Sequence, residues 1–459
     1  MRGAPDCPLE TQLAVRMARV SPSGQNQGSV AAADRISASP VYPRGSRVNE
    51  RGHLEIAGCD LVALAEEFGT PAYVYAEDEI RARAAAYRRA FEERTDSFEV
   101  LYAGKAFPCT AAFRIMREEG LSVDVASGGE LHLALAAGYD PALIHVHGNN
   151  KTEAELRYAL DAGVGHLIVD SFDEIERLER LLDRPQRVLI RITPGIEAHT
   201  HDYVQTGQVD SKFGFGLADG LAERAVELVR NSRQLELVGL HAHIGSQIFE
   251  LEPYVKAIEV LGDFTSSLEL ELEMLNVGGG LGIAYLDTDE PPSIEDYVDV
   301  KVRGVERVFD PVPKVLAEPG RSIVGNAGVT AYRVGTVKEI PGVRTYVAVD
   351  GGMSDNLRPM LYGSRYEAVI ADRAGETPDA QVTIAGMHCE SGDVLVREAD
   401  LAAPRVGDVL VTPATGAYGH AMSNNYNAIP RPPVIFCRDG DARVVVRRET
   451  WDDLLTRDE

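Results

Sequence analysis

The stretch VLYAGKAFP, residues 100–108, decides the fold, because it is an apolar run that is closed by a single lysine, Lys105. The run is typical of a buried strand. A lysine withdrawn from water has a lowered pKa, and its neutral amine is the form that condenses with an aldehyde. A lysine that closes a strand is also commonly a surface residue or half of an ion pair. The rest of the chain has to decide between these interpretations.

From about residue 99 onward, short β-branched runs alternate with helix-like stretches. Residues 153–162 carry Leu156, Ala159 and Leu160, which is the apolar spacing of a helix between two strands. Such alternation is typical of parallel α/β folds. It predicts eight strands: Glu99–Ala103, Ser122–Ala126, Ile144–His147, His166–Asp170, Arg187–Thr193, Leu237–His243, Met274–Val277 and Lys314–Ala317.

Eight parallel βα units predict a (β/α)8 TIM-like barrel, in which chemistry gathers at the carboxyl ends of the strands. An open doubly wound sheet is the structural alternative, but it gives no reason for polar residues to follow strand after strand. We therefore expect one site at one end of a barrel. Its candidate residues are Lys105, Asp124, His147, Arg191, His243 with Ser246, Gly278 to Gly280, and Glu318 to Arg321.

After about residue 325, strand signals replace the helical spacing. They indicate a mostly β C-terminal domain at 326–459, after a barrel at 81–325, with residues 48–80 adding a segment to the β domain. Residues 1–47, rich in Ser, Ala, Gly and Gln, predict a disordered extension. The predicted β strands are Ala331–Ile340, Arg344–Val349, Gln381–Met387, Asp408–Thr412 and a hairpin over Val434–Arg447 that turns at Asp439-Gly440.

The composition narrows the range of partners. The 459 residues include 71 acidic and 46 basic ones, for a formal net charge of −25. Nucleic acid and an anionic membrane surface would repel such a chain, so neither is an expected partner. No apolar stretch approaches the roughly 18 residues of a membrane span. Five scattered cysteines without CxxC spacing predict no zinc or redox site and favour a reduced, cytoplasmic location.

The glycine-rich run GGGLG, residues 278–282, follows the seventh predicted strand. Bare backbone amides at such a turn can close around a phosphate. The run lacks the complete GxGxxG spacing, which argues against a dinucleotide. A tight turn that needs positive φ is the structural alternative.

Glu318 and Arg321 lie three residues apart in EPGR, at the end of the eighth predicted strand. We expect them to have separate targets: a protonated ring nitrogen for the carboxylate, and a carboxylate or phosphate for the guanidinium. A surface ion pair is the alternative.

Two further clusters carry candidate chemistry. His241 and His243 alternate along a strand and point to one side. No acidic residue lies nearby in sequence, so we predict no metal and expect one imidazole to stack on a flat cofactor ring. Cys389 adjoins Glu390, whose carboxylate raises the pKa of a neighbouring thiol and so favours a proton donor over a nucleophile. A small buried hydrophobe is the alternative for a lone cysteine.

Taken together, these strings resemble the fold-type-III pyridoxal-phosphate-dependent decarboxylases, the family of ornithine, diaminopimelate and arginine decarboxylases. The resemblance covers about residues 50–450 and implies an alanine racemase-like barrel with a β domain. It is carried by YAGKAFP at Lys105, SKFGFG at Ser211–Gly216, HAHIGSQ around His243, GGGLGI, EPGRS, DNLRPMLYG at Asp355–Gly363, CESGD, and GAYGHAMSNNYN at Gly416–Asn427.

The resemblance implies pyridoxal 5'-phosphate as the cofactor. Lys105 would then bond the cofactor, His243 would stack on its ring, and Glu318 would meet the ring nitrogen. The other cofactor-binding positions that the resemblance implies are Asp124, Arg191, Ser246, Gly278, Gly279, Gly280, Gly320, Arg321 and Tyr418.

The resemblance is greatest to the members that act on diaminopimelate, so it implies decarboxylation of meso-2,6-diaminopimelate to L-lysine and CO2. The second catalytic residue would be Cys389, which would protonate the carbanion. In the family this cysteine comes from the partner subunit, so the resemblance implies a homodimer with shared active sites. The implied substrate-binding residues are Arg321, Arg358, Tyr362 and Tyr418, with Glu390 at the free amine.

Two alternatives remain open. A decarboxylase of another amino acid, such as ornithine, arginine, carboxynorspermidine or a carrier-bound amino acid, would keep the fold and change the substrate. A diamine precursor has no use for both Arg321 and Arg358. A catalytically inactive homologue would need none of Lys105, Glu318 and Cys389.

Overall fold

The computed structural model describes residues 32–196, 211–218 and 220–459. Its strands are β1 (Arg47–Val48), β2 (Leu54–Ile56), β3 (Cys59–Asp60), β4 (Ala72–Ala76), β5 (Phe98–Ala103), β6 (Ser122–Val125), β7 (Ile144–Val146), β8 (His166–Val169), β9 (Gln186–Thr193), β10 (Phe215–Gly216), β11 (Leu235–His241), β12 (Met274–Asn276), β13 (Lys314–Ala317), β14 (Gly328–Ile340), β15 (Arg344–Val349), β16 (Val369–Ile370), β17 (Ala380–Ala385), β18 (Val394–Leu401), β19 (Val409–Thr412), β20 (Val434–Arg438) and β21 (Asp441–Val446). Its α-helices are α1 (Ala32–Ala38), α2 (Leu61–Phe68), α3 (Glu77–Glu92), α4 (Thr110–Glu118), α5 (Gly128–Ala136), α6 (Glu153–Ala162), α7 (Phe172–Leu181), α8 (Leu221–Asn231), α9 (Glu252–Ser267), α10 (Ile294–Val308), α11 (Arg321–Val324), α12 (Arg358–Tyr362) and α13 (Trp451–Leu454).

Eight parallel strands form a closed barrel. The order around it is β5, β6, β7, β8, β9, β11, β12 and β13, and the pairing of β13 with β5 completes the ring. The short β10 pairs with the end of β9. The predicted barrel is confirmed with all eight strands, and the open sheet is wrong because both of its would-be edges are paired.

The barrel is filled by one side chain from each of six strands: Leu101, Ile168, Leu189, Val238, Met274 and Leu316. A larger apolar cluster lies between the outer face of the barrel and the helices around it. Burial on both faces explains why these strands read as nearly continuous apolar runs. The polar residues are thereby confined to the strand ends.

Several helices begin with a side chain that caps them directly after a strand-end loop. Ser127, Ser171 and Ser293 each accept a hydrogen bond from a first-turn amide of α5, α7 and α10. Thr152 and Glu155 form a reciprocal capping box at the start of α6. These caps fix where each chain segment leaves the carboxyl end of the barrel.

The second sheet combines distant segments in the order β18-β17-β15-β14-β4-β20-β21, with β19 on β14 and β16 on β19. β4 comes from before the barrel and lies between β14 and β20. The sequence did not indicate β16 or β18 of this sheet. All of the strands that it predicted after residue 325 are present. The exact limits of the domains stay predictions.

Residues 1–31 of the predicted N-terminal extension lie outside the described residues. Within the remainder of that segment, α1 is formed, and Val41 and Tyr42 are buried in the apolar cluster that underlies β4. No helix in the described part of the chain is long and apolar enough to cross a membrane.

Candidate active site

A cavity of about 280 Å³ opens at the carboxyl ends of the barrel strands. Its wall combines barrel residues with residues of the β sheet region, so most of the predicted site residues meet in one place. Thirteen of them line it: Lys105, Asp124, His147, Arg191, His243, Ser246, Gly280, Glu318, Gly320, Arg321, Arg358, Tyr362 and Tyr418. Gly278, Gly279, Cys389 and Glu390 do not.

Lys105 follows β5 in a single turn of 3-10 helix, and its side chain faces the cavity. The side chain is exposed within the open cavity, so it is not withdrawn from water as expected. Desolvation lowers the pKa of this amine, but attraction to Asp124, Tyr418 and Glu318 outweighs that effect, and the pKa lies above its ordinary value. The expectation of a neutral amine is therefore wrong for this arrangement, because the strand-end carboxylates stabilise an ammonium.

Glu318 is buried at the end of β13 and has three side-chain partners. Asn276 Nδ2 donates to it at 2.7 Å, and the Nε2 atoms of His147 and His241 lie 3.1 and 3.3 Å from its Oε1. Burial raises the pKa of this carboxyl, but the two imidazoles more than reverse that effect and hold the pKa well below its ordinary range. Glu318 is thus an ionised carboxylate at the base of the cavity.

The sequence listed His147 among the strand-end candidates without giving it a separate role, and it missed Asn276, although Asn276 follows the same rule. Each lies at or just beyond the carboxyl end of a barrel strand, β7 and β12. An inward-pointing polar residue at such a strand end was the available signal.

The argument against a metal rested on the lack of an acidic residue near the histidines, and that reason is wrong. The fold brings Glu318 to His241 and adds His147, with the potential ligand atoms within 4.8 Å of one another. The absence of a metal stays a prediction; His241 already shares a hydrogen bond with Glu318, and His147 lies within ion-pair distance of it.

Asp124 lies at the end of β6, within the same buried group of charges. Burial raises its pKa to about 6; His147 and Lys105 lower it, whereas Glu318 raises it. The pKa of Asp124 is therefore raised while that of Glu318 is lowered, and such a difference between two neighbouring carboxyl groups is typical of active sites.

The glycine-rich turn after β12 is held between backbone and side-chain partners. Gly278 and Gly280 have φ values of +66° and +107°, where other residues are strained. The Gly278 amide donates to Asn276 Oδ1 at 2.9 Å, and the Gly279 amide donates to His243 Nδ1 at 3.2 Å. Two of the three predicted phosphate-binding amides are thus engaged by the protein, whereas Gly280 lines the cavity.

His243 is a neutral imidazole. Burial and the charge of Lys105 lower its pKa well below the ordinary value. Because its Nδ1 accepts from Gly279, the proton resides on Nε2. The ring lines the cavity, as stacking on a cofactor requires.

Arg321 and Arg358 bring two guanidinium groups to the same wall. Arg321 donates to Tyr285 and, at 3.0 Å, to Ser246 Oγ, and Arg358 donates to Tyr366. The Tyr285 ring lies 5.7 and 4.5 Å from the two guanidinium carbons. Among the described residues, no carboxylate forms an ion pair with either arginine, and both Nε atoms are buried without a hydrogen-bond partner.

Comparison with known proteins agrees with this geometry. The family model for the pyridoxal-dependent decarboxylases, pyridoxal binding domain, matches residues 77–325. Diaminopimelate decarboxylase of Bacillus subtilis is 50% identical over 425 residues, which are 90% of this chain and 97% of that relative. The enzyme of Halalkalibacterium halodurans is 47% identical over 424 residues, 90% of this chain and 97% of its own. The chain belongs to the diaminopimelate decarboxylase family.

The solved structures give the same result. Diaminopimelate decarboxylase of M. jannaschii in complex with L-lysine is 34% identical and superposes with a TM-score of 0.84, covering 90% of this chain and 97% of that structure. The predicted fold type, the decarboxylase class and the pyridoxal-phosphate cofactor are thereby confirmed.

Arg191 lines the cavity and is held by two neighbouring side chains. Its guanidinium lies 4.3 Å from the centre of the Phe213 ring and 3.6 Å from Asp170. Burial lowers its pKa and Asp170 opposes that shift. Phe213, within the SKFGFG string, is a cavity residue that received no separate role from the sequence.

The two residues that were predicted to act from a partner subunit, Cys389 and Glu390, lie outside this cavity. Cys389 and Glu390 are exposed on the loop between β17 and β18. The loop is fixed from behind: the Cys389 amide donates to Asn427 Oδ1 at 3.0 Å, and His388 Nδ1 lies 2.8 Å from Asp393.

Proposed function

We propose that this chain decarboxylates meso-2,6-diaminopimelate to L-lysine and CO2, the last step of lysine biosynthesis. The observation that carries the substrate is the pair Arg321 and Arg358. A buried charge without a counter-charge is costly, so two guanidinium groups that have no carboxylate partner among the described residues favour an anionic ligand in the cavity. A chain with a net charge of −25 that concentrates cationic groups here is suited to a substrate with a second carboxylate.

The residues of the cavity fit pyridoxal 5'-phosphate. They supply an amine at Lys105, a carboxylate held ionised at Glu318, a neutral imidazole at His243, and a glycine turn that leaves the Gly280 edge open to the cavity. When bound, this cofactor supplies the electron sink that stabilises the charge left by loss of CO2. Gly320 adds space, since a Cβ there would lie 2.9 Å from that of Ala103.

The proposed roles of the side chains follow from their positions. Lys105 holds the cofactor through Nζ, and His243 orients the ring. Glu318 keeps a proton at the ring nitrogen, because its ionised form is favoured by both neighbouring imidazoles. Arg321, Arg358 and Tyr362 hold the second carboxylate of the substrate, with Tyr418 beside them.

The last proton transfer is assigned to the partner subunit. Cys389 Sγ would deliver a proton to the carbon that has lost CO2, and Glu390 would meet the free amine of the substrate. Exposure of both residues on one loop supports this homodimer. The free cysteines Cys59, Cys109 and Cys437 support a reduced, cytoplasmic location.

The substrate assignment is tested by Arg358→Met, with the exposed Arg365→Met as the matched control. Loss of a charge-assisted contact to the second carboxylate should raise KM for meso-diaminopimelate by about 10- to 100-fold and change kcat less. The control should retain the wild-type KM. An unchanged KM in Arg358→Met, or equally fast turnover of L-ornithine by the wild type, would overturn the assignment.

A further inference from the structure

Lys301 is a fully buried lysine that the proposed function leaves without a role. It lies on α10, outside the barrel, and its side chain is 0% exposed. Its Nζ donates to the Val277 carbonyl at 3.0 Å, to the Gly278 carbonyl at 2.7 Å, and to the hydroxyl of Tyr297. Three oxygen atoms thus surround this buried amine.

Two tyrosine rings complete this enclosure. The Nζ atom lies 4.1 Å from the centre of the Tyr297 ring and 4.9 Å from that of Tyr254. The same tyrosines donate to the glycine turn: Tyr297 to the Gly278 carbonyl at 3.3 Å, and Tyr254 to the Gly279 carbonyl at 3.2 Å. An apolar residue would fill this space at lower cost than a lysine, so the polar contacts need a function.

The carbonyls that this cluster holds determine where the amides of the turn point. The C=O of one residue and the N–H of the next belong to one planar peptide unit and point in opposite directions. Lys301 holds the Gly278 carbonyl together with the Glu318 amide, which donates to the same oxygen at 3.0 Å, and the Gly279 amide of that peptide unit donates to His243 Nδ1. Tyr254 likewise fixes the Gly279 carbonyl, which turns the Gly280 amide the other way.

We propose that Lys301, together with Tyr254 and Tyr297, is a positioning residue that sets the peptide planes of Gly278 to Gly280 from behind. The cluster directs the Gly280 amide to the phosphate of the cofactor and the Gly279 amide to His243. This inference rests on the proposed function, which places the phosphate at this turn. Lys301 itself touches neither cofactor nor substrate.

The test compares binding of pyridoxal 5'-phosphate with binding of pyridoxal, which lacks the phosphate, by the full chain freed of cofactor. Lys301→Met should weaken pyridoxal 5'-phosphate binding by about tenfold or more and pyridoxal binding by less than about twofold. Tyr254→Phe removes one hydroxyl and keeps the ring, so it should shift the same ratio by about threefold even if Lys301→Met fails to fold. Lys256→Met, on the exposed side of α9, is the matched control and should leave the ratio unchanged.

Two results would overturn the positioning role. In one, the variants weaken both compounds equally, which is the behaviour of a purely structural lysine. In the other, the ratio stays at the wild-type value in both variants. A wild type that binds pyridoxal as tightly as pyridoxal 5'-phosphate would instead overturn the phosphate site of the proposed function, so the two failures are distinguishable.

Discussion

At the scale of single residues, Glu318 shows how a buried carboxylate is kept charged. Asn276, His147 and His241 surround it, and the nearby Asp124 is pushed to a pKa of about 6. Ionisation is thus concentrated on Glu318, which is the state that a protonated ring nitrogen needs. The residues around Glu318 therefore influence the reaction through the charge of this carboxylate.

We predict that Glu318→Gln lowers kcat by about 10²- to 10⁴-fold, because a neutral amide cannot stabilise a protonated ring nitrogen. The measurement is steady-state release of CO2, with the absorbance of the bound cofactor to show that it is still held. Glu306→Gln, on the exposed face of α10, serves as the control. A kcat within about twofold of the wild type would contradict this role.

The position of Lys105 could be predicted from the sequence, but its protonation state could not. The apolar run before it and the proline after it already mark a strand end. The groups that raise its pKa come from β6, from β13 and, through Tyr418, from the β sheet region. No local pattern shows that these segments converge on one amine.

At the scale of elements, the loop between β15 and α12 delivers Arg358 to the cavity, and Asp355 fixes that loop. Its side chain accepts from the Gly352 amide at 3.0 Å and from the Tyr332 hydroxyl at 2.8 Å, and its carbonyl accepts from Tyr73 at 2.6 Å. Burial raises the pKa of Asp355 to about 7, against the lowering effect of these donors.

This shift gives stability a pH dependence with a defined sign. Because the pKa of Asp355 is higher in the folded state than the unfolded value of 3.8, the protonated carboxyl stabilises the fold. This contribution is complete below pH 3.8 and is lost as the pH rises through about 7. Relative to Asp355→Asn, the wild type should lose about 3 kcal/mol of unfolding free energy between pH 5 and pH 8. Urea unfolding at both pH values measures it, with the exposed Asp452→Asn as the control. Parallel pH curves for wild type and Asp355→Asn would contradict the assignment.

Physical reasons explain why the sequence did not indicate some of the strands and strand pairings. β18 carries Arg397, Glu398 and Asp400 at positions that are exposed or half-buried, so its apolar signal is interrupted. The partners of β4 are equally hidden, because its neighbours β14 and β20 follow a complete barrel in the chain. Strand signals are local, whereas pairing across an inserted domain is not.

At the scale of the whole molecule, the two proposed catalytic residues lie apart within one chain. Lys105 lines the cavity, and Cys389 lies on an exposed loop outside it. The motifs could identify both residues, since each lies in a distinctive string. Their separation within one chain became visible only with the fold, because it depends on how the β sheet region is placed against the barrel.

We predict that mixing Lys105→Ala with Cys389→Ser restores activity that neither variant has alone. Random exchange of subunits makes half of the dimers mixed, and each mixed dimer has one intact site of two. About one quarter of the wild-type activity should therefore return. A chain that carries both substitutions, mixed with Lys105→Ala, is the control and should restore none. Failure to recover activity after demonstrated subunit exchange would contradict shared active sites.

The most direct test of the central claim is to measure CO2 and L-lysine formed from meso-diaminopimelate by the chain loaded with pyridoxal 5'-phosphate, beside Lys105→Ala. We predict stoichiometric CO2 and L-lysine from the wild type and a loss of at least about 10³-fold in the variant. A wild type that holds the cofactor without turnover, or a Lys105→Ala variant that keeps its activity, would contradict the account.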